Sequence, residues 1–167
     1  VNLLNTMGKF DKIPDKIIFT STIAVYGEKM DKEIYDETSK LFPISPYSIT
    51  KEKAEQYLLQ NFKDKTWIIR LSPIYSKYFL LNIQRRIKIG LINFIVGDGK
   101  TKLSLCNVKN LVKIIDEIIV DKIKAGIFNL SDNNHYTYND LVKWSNVRFI
   151  IKIPRIFVKV AYYFGKL

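Results

Sequence analysis

Two short apolar runs with a helix-period segment between them constrain this chain most. Lys16–Thr20 is apolar and partly β-branched, and Thr66–Leu71 reads "TWIIRL". Between them, Ala54, Tyr57 and Leu58 recur at spacings that suit one apolar face of a helix beginning near Pro46. Strand, helix and strand in that order read as a βαβ unit, whose strands are parallel and buried. Further on, Leu80–Gly90 reads as an amphipathic helix. Gly97-Asp98-Gly99 reads as a turn before a strand, Ile127–Leu130 as a short strand, and Thr137–Asp140 as the start of another helix. The expected class is α/β.

The first strand runs into a hydroxyl cluster, Thr20-Ser21-Thr22, followed by Ile23-Ala24-Val25-Tyr26-Gly27. In open α/β sheets, ligands bind outside the carboxyl ends of the strands. A hydroxyl there can bond a substrate oxygen, or simply cap backbone groups. After a polar loop with Asp36-Glu37-Thr38, Ser45-Pro46-Tyr47 opens the helix, and Lys51 follows Tyr47 by one turn. At that spacing the two side chains are neighbours. An ammonium beside a phenol favours the phenolate, the state a tyrosine needs to act as acid and base. A tyrosine and lysine on a solvated helix face is the plainer alternative, and the surrounding motifs argue against it.

In this order and spacing, a strand ending in Ser21-Thr22 and Val25-Tyr26-Gly27, an Asp36-Glu37-Thr38 turn, and a Ser45-Pro46-Tyr47…Lys51 helix resemble the extended short-chain dehydrogenase/reductase superfamily. More narrowly they resemble its NAD-dependent epimerase/dehydratase family, most of which act on nucleotide sugars. The resemblance covers nearly the whole chain. It implies the C-terminal part of a Rossmann-like doubly wound parallel sheet plus a small α/β substrate-binding region. Residues 1–75 would be the second half of the NAD(P)-binding domain. Residues 76–167 would be mostly substrate-binding, with strands and helices returning to the sheet.

The resemblance assigns roles. Tyr47 would be the general acid/base at a sugar hydroxyl, and Lys51 would hold the nicotinamide ribose and support Tyr47. Thr22 would hydrogen-bond the reacting oxygen, with Ser21 beside it near the cofactor. Ser72-Pro73-Ile74-Tyr75 resembles the family's R-x-x-N-V-Y-G-P segment near nicotinamide and substrate. Pro73 replaces the usual Asn, so only backbone contacts to the cofactor carry over there. Tyr75, Asn82, Arg85 and Lys102 are the expected substrate contacts. The Gly97-Asp98-Gly99…Leu103 segment resembles one that helps hold the nucleotide, with Leu103 where an Arg is usual and Lys102 or Lys100 as its substitute. Asn107-Val108-Lys109-Asn110 resembles a helix start, with Asn110 as its cap. The cofactor would be NAD or NADP, the partner a nucleotide-diphosphate sugar, and the full-length protein a possible homodimer.

The family opens with strand, GxxGxxG and helix, which seats the dinucleotide pyrophosphate on a helix N-terminus. The 7 glycines of this chain make no such pattern. Val1–Phe10 resembles the helix before the Ser21-Thr22 strand. The chain is therefore expected to be a fragment of a longer protein or the product of a disrupted gene. By itself it should be inactive, with its first strand an exposed, aggregation-prone edge.

Composition narrows the remaining classes. The net charge of +11 is mostly lysine, spread without long runs, which suits a solvated surface better than nucleic-acid binding. Arg85-Arg86 with Lys88 is the one local cluster, and it could meet substrate phosphates. Cys106 and His135 are each alone of their kind, so no internal disulfide and no metal set is expected. Phe149–Leu167 is apolar and aromatic, but Lys152, Pro154, Arg155 and Lys159 interrupt it. It is short of the roughly 18–20 uncharged residues of a membrane span. We expect no stable membrane insertion, a helix of the substrate-side region there, and a cytoplasmic location.

Within the family, sugar 4,6-dehydratases place Asp-Glu directly after the catalytic Thr. Here those positions are Ile23 and Ala24, which cannot serve as acid and base. The expected reaction is therefore 4-epimerisation or 4-keto reduction of a nucleotide-linked sugar, in surface-polysaccharide assembly. The alternative is a non-catalytic remnant of such an enzyme.

Overall fold

Strand β2 (Thr66–Leu71) is buried along its whole length because it has a parallel neighbour on each side. The computed structural model, which describes residues 13–27, 34–145 and 149–157, pairs it with β1 (Ile17–Thr22) and with β8 (Gly126–Leu130). Its β-branched and aromatic residues suit a strand covered on both faces. β1 is only half-buried, with Ser21 its one buried residue. The apolar pattern by itself reads as a buried strand, whereas the lack of a glycine-rich opening segment predicts an exposed edge. Among the described residues β1 is an edge of this sheet, and Thr20 is exposed.

Helix α1 (Pro46–Phe62) joins β1 to β2 in the order expected of a βαβ unit. Ser45 caps it, its Oγ accepting the Ser48 N–H at 3.2 Å, and Pro46 occupies the first turn. Its buried residues are Ser48, Glu55 and Leu58. The inward stripe is thus mixed polar and apolar, and the apolar face expected from Ala54, Tyr57 and Leu58 reaches full burial only at Leu58. A polar stripe is tolerated because Glu55 has a buried cation opposite it.

The chain divides into two units. The first comprises residues 1–72 and 109–131, and the second residues 73–108 and 132–167. The return segment of the first unit is helix α3 (Val108–Ile119) followed by β8. Lys16 closes that helix: its Nζ donates to the Ile118 and Ile119 carbonyls at 3.0 and 2.7 Å and pairs with Asp121 at 2.7 Å. A cation there satisfies orphan carbonyls and complements the helix dipole. Asn110 lies inside α3 rather than capping it, since the helix already starts at Val108.

The second unit is built from short elements. β5 (Ile92–Val96) lies between β4 (Lys88–Ile89, antiparallel) and β10 (Ile151–Ile153, parallel). β3 (Ile74–Tyr75) pairs with β7 (Cys106–Asn107), and β6 (Lys102–Leu103) with β9 (Tyr136–Thr137). Helix α2 spans Leu81–Ile87, and the chain then turns into the β4 hairpin rather than staying helical to Gly90. Helix α4 spans Tyr138–Trp144. It carries a capping box in which Thr137 and Asp140 satisfy each other's backbone N–H. Its core joins Ile83, Ile87, Ile95, Leu105, Tyr136, Leu141 and Val142. The expected helix from Phe149 on begins instead with strand β10. Residues 158–167 and the segment Val1–Phe10 lie outside the described residues.

Candidate active site

Thr22, Tyr47 and Lys51 all belong to the first unit. Thr22 is the last residue of β1 and the cap of a 3-10 turn, Ile23–Tyr26. Its Oγ1 accepts the Ala24 N–H at 3.2 Å. The turn closes on Gly27, whose N–H reaches the Ala24 carbonyl at 3.1 Å. Gly27 has φ 101°, and a Cβ there would lie 2.6 Å from the Phe42 carbonyl oxygen, so only glycine fits.

Tyr47 is 57 % exposed, in the first turn of α1. One turn on, Lys51 reaches back to the strand: its Nζ donates to the Thr20 carbonyl at 2.7 Å. The same ammonium lies 4.8 Å from the Phe19 ring centroid and 5.8 Å from that of Tyr47. The site therefore offers an accessible phenol, an ammonium on its face and a hydroxyl at a strand terminus. All lie at the carboxyl end of the parallel sheet, where such sheets bind ligands. Donors of this kind suit a ribose and a carbonyl or hydroxyl in redox exchange.

Ser21 differs from expectation. It is buried, and its hydroxyl donates to Glu55 Oε1, so its side chain is committed to the core rather than presented to a cofactor. Neighbouring strand residues point to opposite faces, and Ser21 is the inward member of the Ser21–Thr22 pair.

That inward bond opens a network which the reading of the sequence did not find. Glu55 and Arg70 are 1 % and 3 % exposed. Arg70 Nη2 donates to Glu55 Oε2 at 2.7 Å, and its Nε lies 3.2 Å from both carboxylate oxygens. Its Nη1 donates to the Tyr26 hydroxyl at 2.9 Å and to the Glu37 carbonyl at 3.3 Å. Tyr26 donates onward to Asn129 Oδ1 at 2.7 Å. Asn129 gives its backbone N–H to Glu37 Oε1 at 2.7 Å and its Nδ2 to the Tyr35 carbonyl at 3.2 Å. Burial alone lowers the Arg70 pKa, but the Glu55 and Tyr26 hydrogen bonds outweigh it and hold the guanidinium above its ordinary value. One signal was available in the sequence: a lone arginine inside "TWIIRL" needs a buried counter-charge. Nearby, Asp36 accepts bonds from Thr38 and Ser39. Those side-chain bonds hold its carboxyl below the ordinary carboxylate range.

The other expected contacts lie in the second unit. The Tyr75 hydroxyl donates to Asp132 Oδ2 at 2.8 Å, and Tyr136 donates to the same oxygen at 2.9 Å. The Tyr75 ring stacks 6.3 Å from Trp144. Asn82 spends its Nδ2 on the Ile74 carbonyl at 2.8 Å. Pro73 accepts the Cys106 N–H at 3.1 Å. Arg85 is exposed in the last turn of α2, and Lys102 is exposed on β6 opposite Thr137. Arg86 is half-buried, and desolvation lowers its pKa despite Tyr138 nearby. The Gly97 and Gly99 turn has φ 65° and 71°. It is held by Asn139, which donates to the Asp98 carbonyl at 3.0 Å.

The sequence profile of the family described as GDP-mannose 4,6 dehydratase matches residues 1–159. The chain belongs to the NAD-dependent epimerase/dehydratase family. This family uses NAD or NADP, and its Rossmann-like α/β fold is the fold of this chain. A dTDP-D-glucose 4,6-dehydratase from Homo sapiens is 37 % identical over 67 residues, covering 38 % of this chain and 19 % of that protein. The dTDP-glucose 4,6-dehydratase from Bacillus anthracis, solved with NAD, superposes with TM-score 0.67 at 21 % identity. That match covers 91 % of this chain and 53 % of the other. The UDP-glucose 4-epimerase from Thermotoga maritima, solved with UDP-glucose, does so with TM-score 0.67 at 25 % identity over 91 % and 54 %. The chain thus spans about half the length of the solved family members it matches. No described helix is long and apolar enough to cross a membrane.

Proposed function

We propose that this chain carries the reacting residues of an NAD(P)-dependent nucleotide-sugar 4-epimerase or 4-keto reductase. One observation carries the reading: the exposed Tyr47 phenol shares its helix face with the Lys51 ammonium, at the strand end that bears Thr22. Tyr47 would take the proton from the sugar hydroxyl and return it. Lys51, anchored on the Thr20 carbonyl, would hold a ribose hydroxyl beside Tyr47. Thr22 would donate to the reacting oxygen, since a hydroxyl that accepts the Ala24 N–H can still donate. The dinucleotide, when bound, would supply or accept the hydride. The residues present fit the nicotinamide-ribose end of that cofactor, and a glycine-rich pyrophosphate cradle is not among them.

Both a dehydratase and an epimerase stand among the relatives, and fold alone does not choose between them. Ile23 and Ala24 favour hydride exchange without loss of water, because elimination needs an acid and a base that these side chains lack. The test is to incubate the intact protein with NAD or NADPH and a panel of nucleoside-diphosphate sugars, and to identify the product by NMR. A 4-epimer or a reduced 4-keto sugar supports the reading, with Tyr47→Phe lowering turnover by about 10²–10⁴-fold. A 4-keto-6-deoxy product would reassign the chain to the dehydratases, and an intact protein that binds no dinucleotide would make it a remnant.

A further inference from the structure

Helix α1 grips the end of β1 at two points one turn apart. Lys51 donates to the Thr20 carbonyl, and Glu55 accepts the Ser21 hydroxyl. Tyr47, Lys51 and Glu55 follow one another at four-residue spacing, so they form a single stripe of the helix. The next strand residue is Thr22. Ser21, tied inward to Glu55, therefore fixes which way Thr22 points.

Glu55 is in turn fully occupied. Its two oxygens receive Ser21 Oγ, Arg70 Nε and Arg70 Nη2. Arg70 spends its remaining reach on Tyr26 and the Glu37 carbonyl, and Tyr26 passes the chain of bonds to β8 through Asn129. A continuous set of directional bonds thus ties α1, the end of β1, the 3-10 turn after Thr22, β2 and β8. Every buried polar side-chain atom among the described residues has a partner. Stability alone does not call for such an arrangement, since a packed apolar pair commonly holds two layers as well as a buried ion pair does. A fork and a hydroxyl fix direction, which an apolar contact does not.

We infer that Glu55 is a positioning residue for the reaction, holding the strand end that carries Thr22 in register with the helix that carries Tyr47 and Lys51. The inference rests on the reading of those three as the reacting set. Small misplacements of reacting groups cost turnover more than binding, on the order of 10²-fold per ångström.

The experiment compares the intact, active protein with its Glu55→Gln, Ser21→Ala and Tyr47→Phe forms, reading kcat, both KM values and Tm. Glu55→Gln keeps the shape and loses the charge that orients Arg70. Its kcat should fall about tenfold or more, with the KM for sugar and for cofactor each within about twofold. Ser21→Ala leaves the ion pair intact and should lower kcat a few-fold in the same pattern, and it serves if Glu55→Gln fails to fold. Unchanged kcat in Ser21→Ala and in any folded Glu55→Gln, whatever happens to Tm, overturns the inference and leaves the pair a structural contact. A change confined to KM, with kcat unaltered, also overturns it. If Tyr47→Phe retains turnover, the reading of the reacting set fails instead, and the two failures are told apart in one assay.

Discussion

The two units solve the problem of holding short elements together in opposite ways. In the first, the contact between α1 and the sheet centres on Glu55, Arg70, Ser21 and Tyr26, a polar cluster with Ile68, Ile69 and Leu58 also buried in the unit. In the second, the core is a block of isoleucine, leucine and valine with Tyr136. An apolar core tolerates small shifts, because dispersion is non-directional and side chains repack. A forked ion pair inside a hydrogen-bonded set tolerates few. The contact that carries Tyr47, Lys51 and Thr22 is the one held by direction, and the core of the second unit is held by volume.

Substitutions can break or sharpen that contrast. The largest effect on stability should come from Glu55→Ala, which strands the Arg70 cation and should cost about 3–5 kcal/mol in urea denaturation. Replacing both partners, Glu55→Leu with Arg70→Met, should recover most of that loss; if it does not, the pair stabilises in its own right. Leu141→Ala in the second unit should cost about 3 kcal/mol, whereas the volume-conserving Leu141→Met should cost less than about 1.5 kcal/mol. Equal tolerance of Glu55→Gln and Leu141→Met, by urea midpoint, would erase the contrast. Thr137→Ala removes half of the α4 capping box and should cost about 1 kcal/mol.

The smallest effect is one of pH. Burial, with the Asp132 charge second, pushes the Cys106 thiol up from 9.0 to about 11. A raised acid favours the folded state while protonated. Its contribution is complete below pH 9 and is lost as pH rises from 9 towards about 11. Cys106→Ala should flatten the stability profile in that window, and alkylation of native Cys106 should be slow at neutral pH.

The sequence was most legible where a short stretch carries its own signal. β2 announces itself by an apolar run, and α1 by Ser45-Pro46. The Tyr47/Lys51 pair is legible from helix spacing read together with the motifs around it. Legibility failed where the deciding partner is remote. Arg70 and Glu55 lie in different elements, so the inward stripe of α1 looked apolar by periodicity when its centre is a carboxylate. Ile151–Ile153 looked helical in an apolar stretch, but it is a strand because β5 offers it an edge. Asn110 looked like a cap, but the helix begins two residues before it. Asn129 carries no local mark of its place between Tyr26, Glu37 and Tyr35.

The central strand has a consequence for synthesis. β2 ends at Leu71, but its partner β8 is not complete until Leu130. Between them the chain departs at residue 73 to lay down part of the second unit and returns at residue 109. On a ribosome, β2 must therefore wait with one edge unpaired while that excursion is made. Its N–H and C=O groups are open to any passing strand for those seconds. The Arg70 side chain waits with it, because Asn129, the end of its relay through Tyr26, arrives only with β8. Until then Arg70 is held by Glu55 and Tyr26, a cation in a strand that is buried along its whole length once β8 is in place.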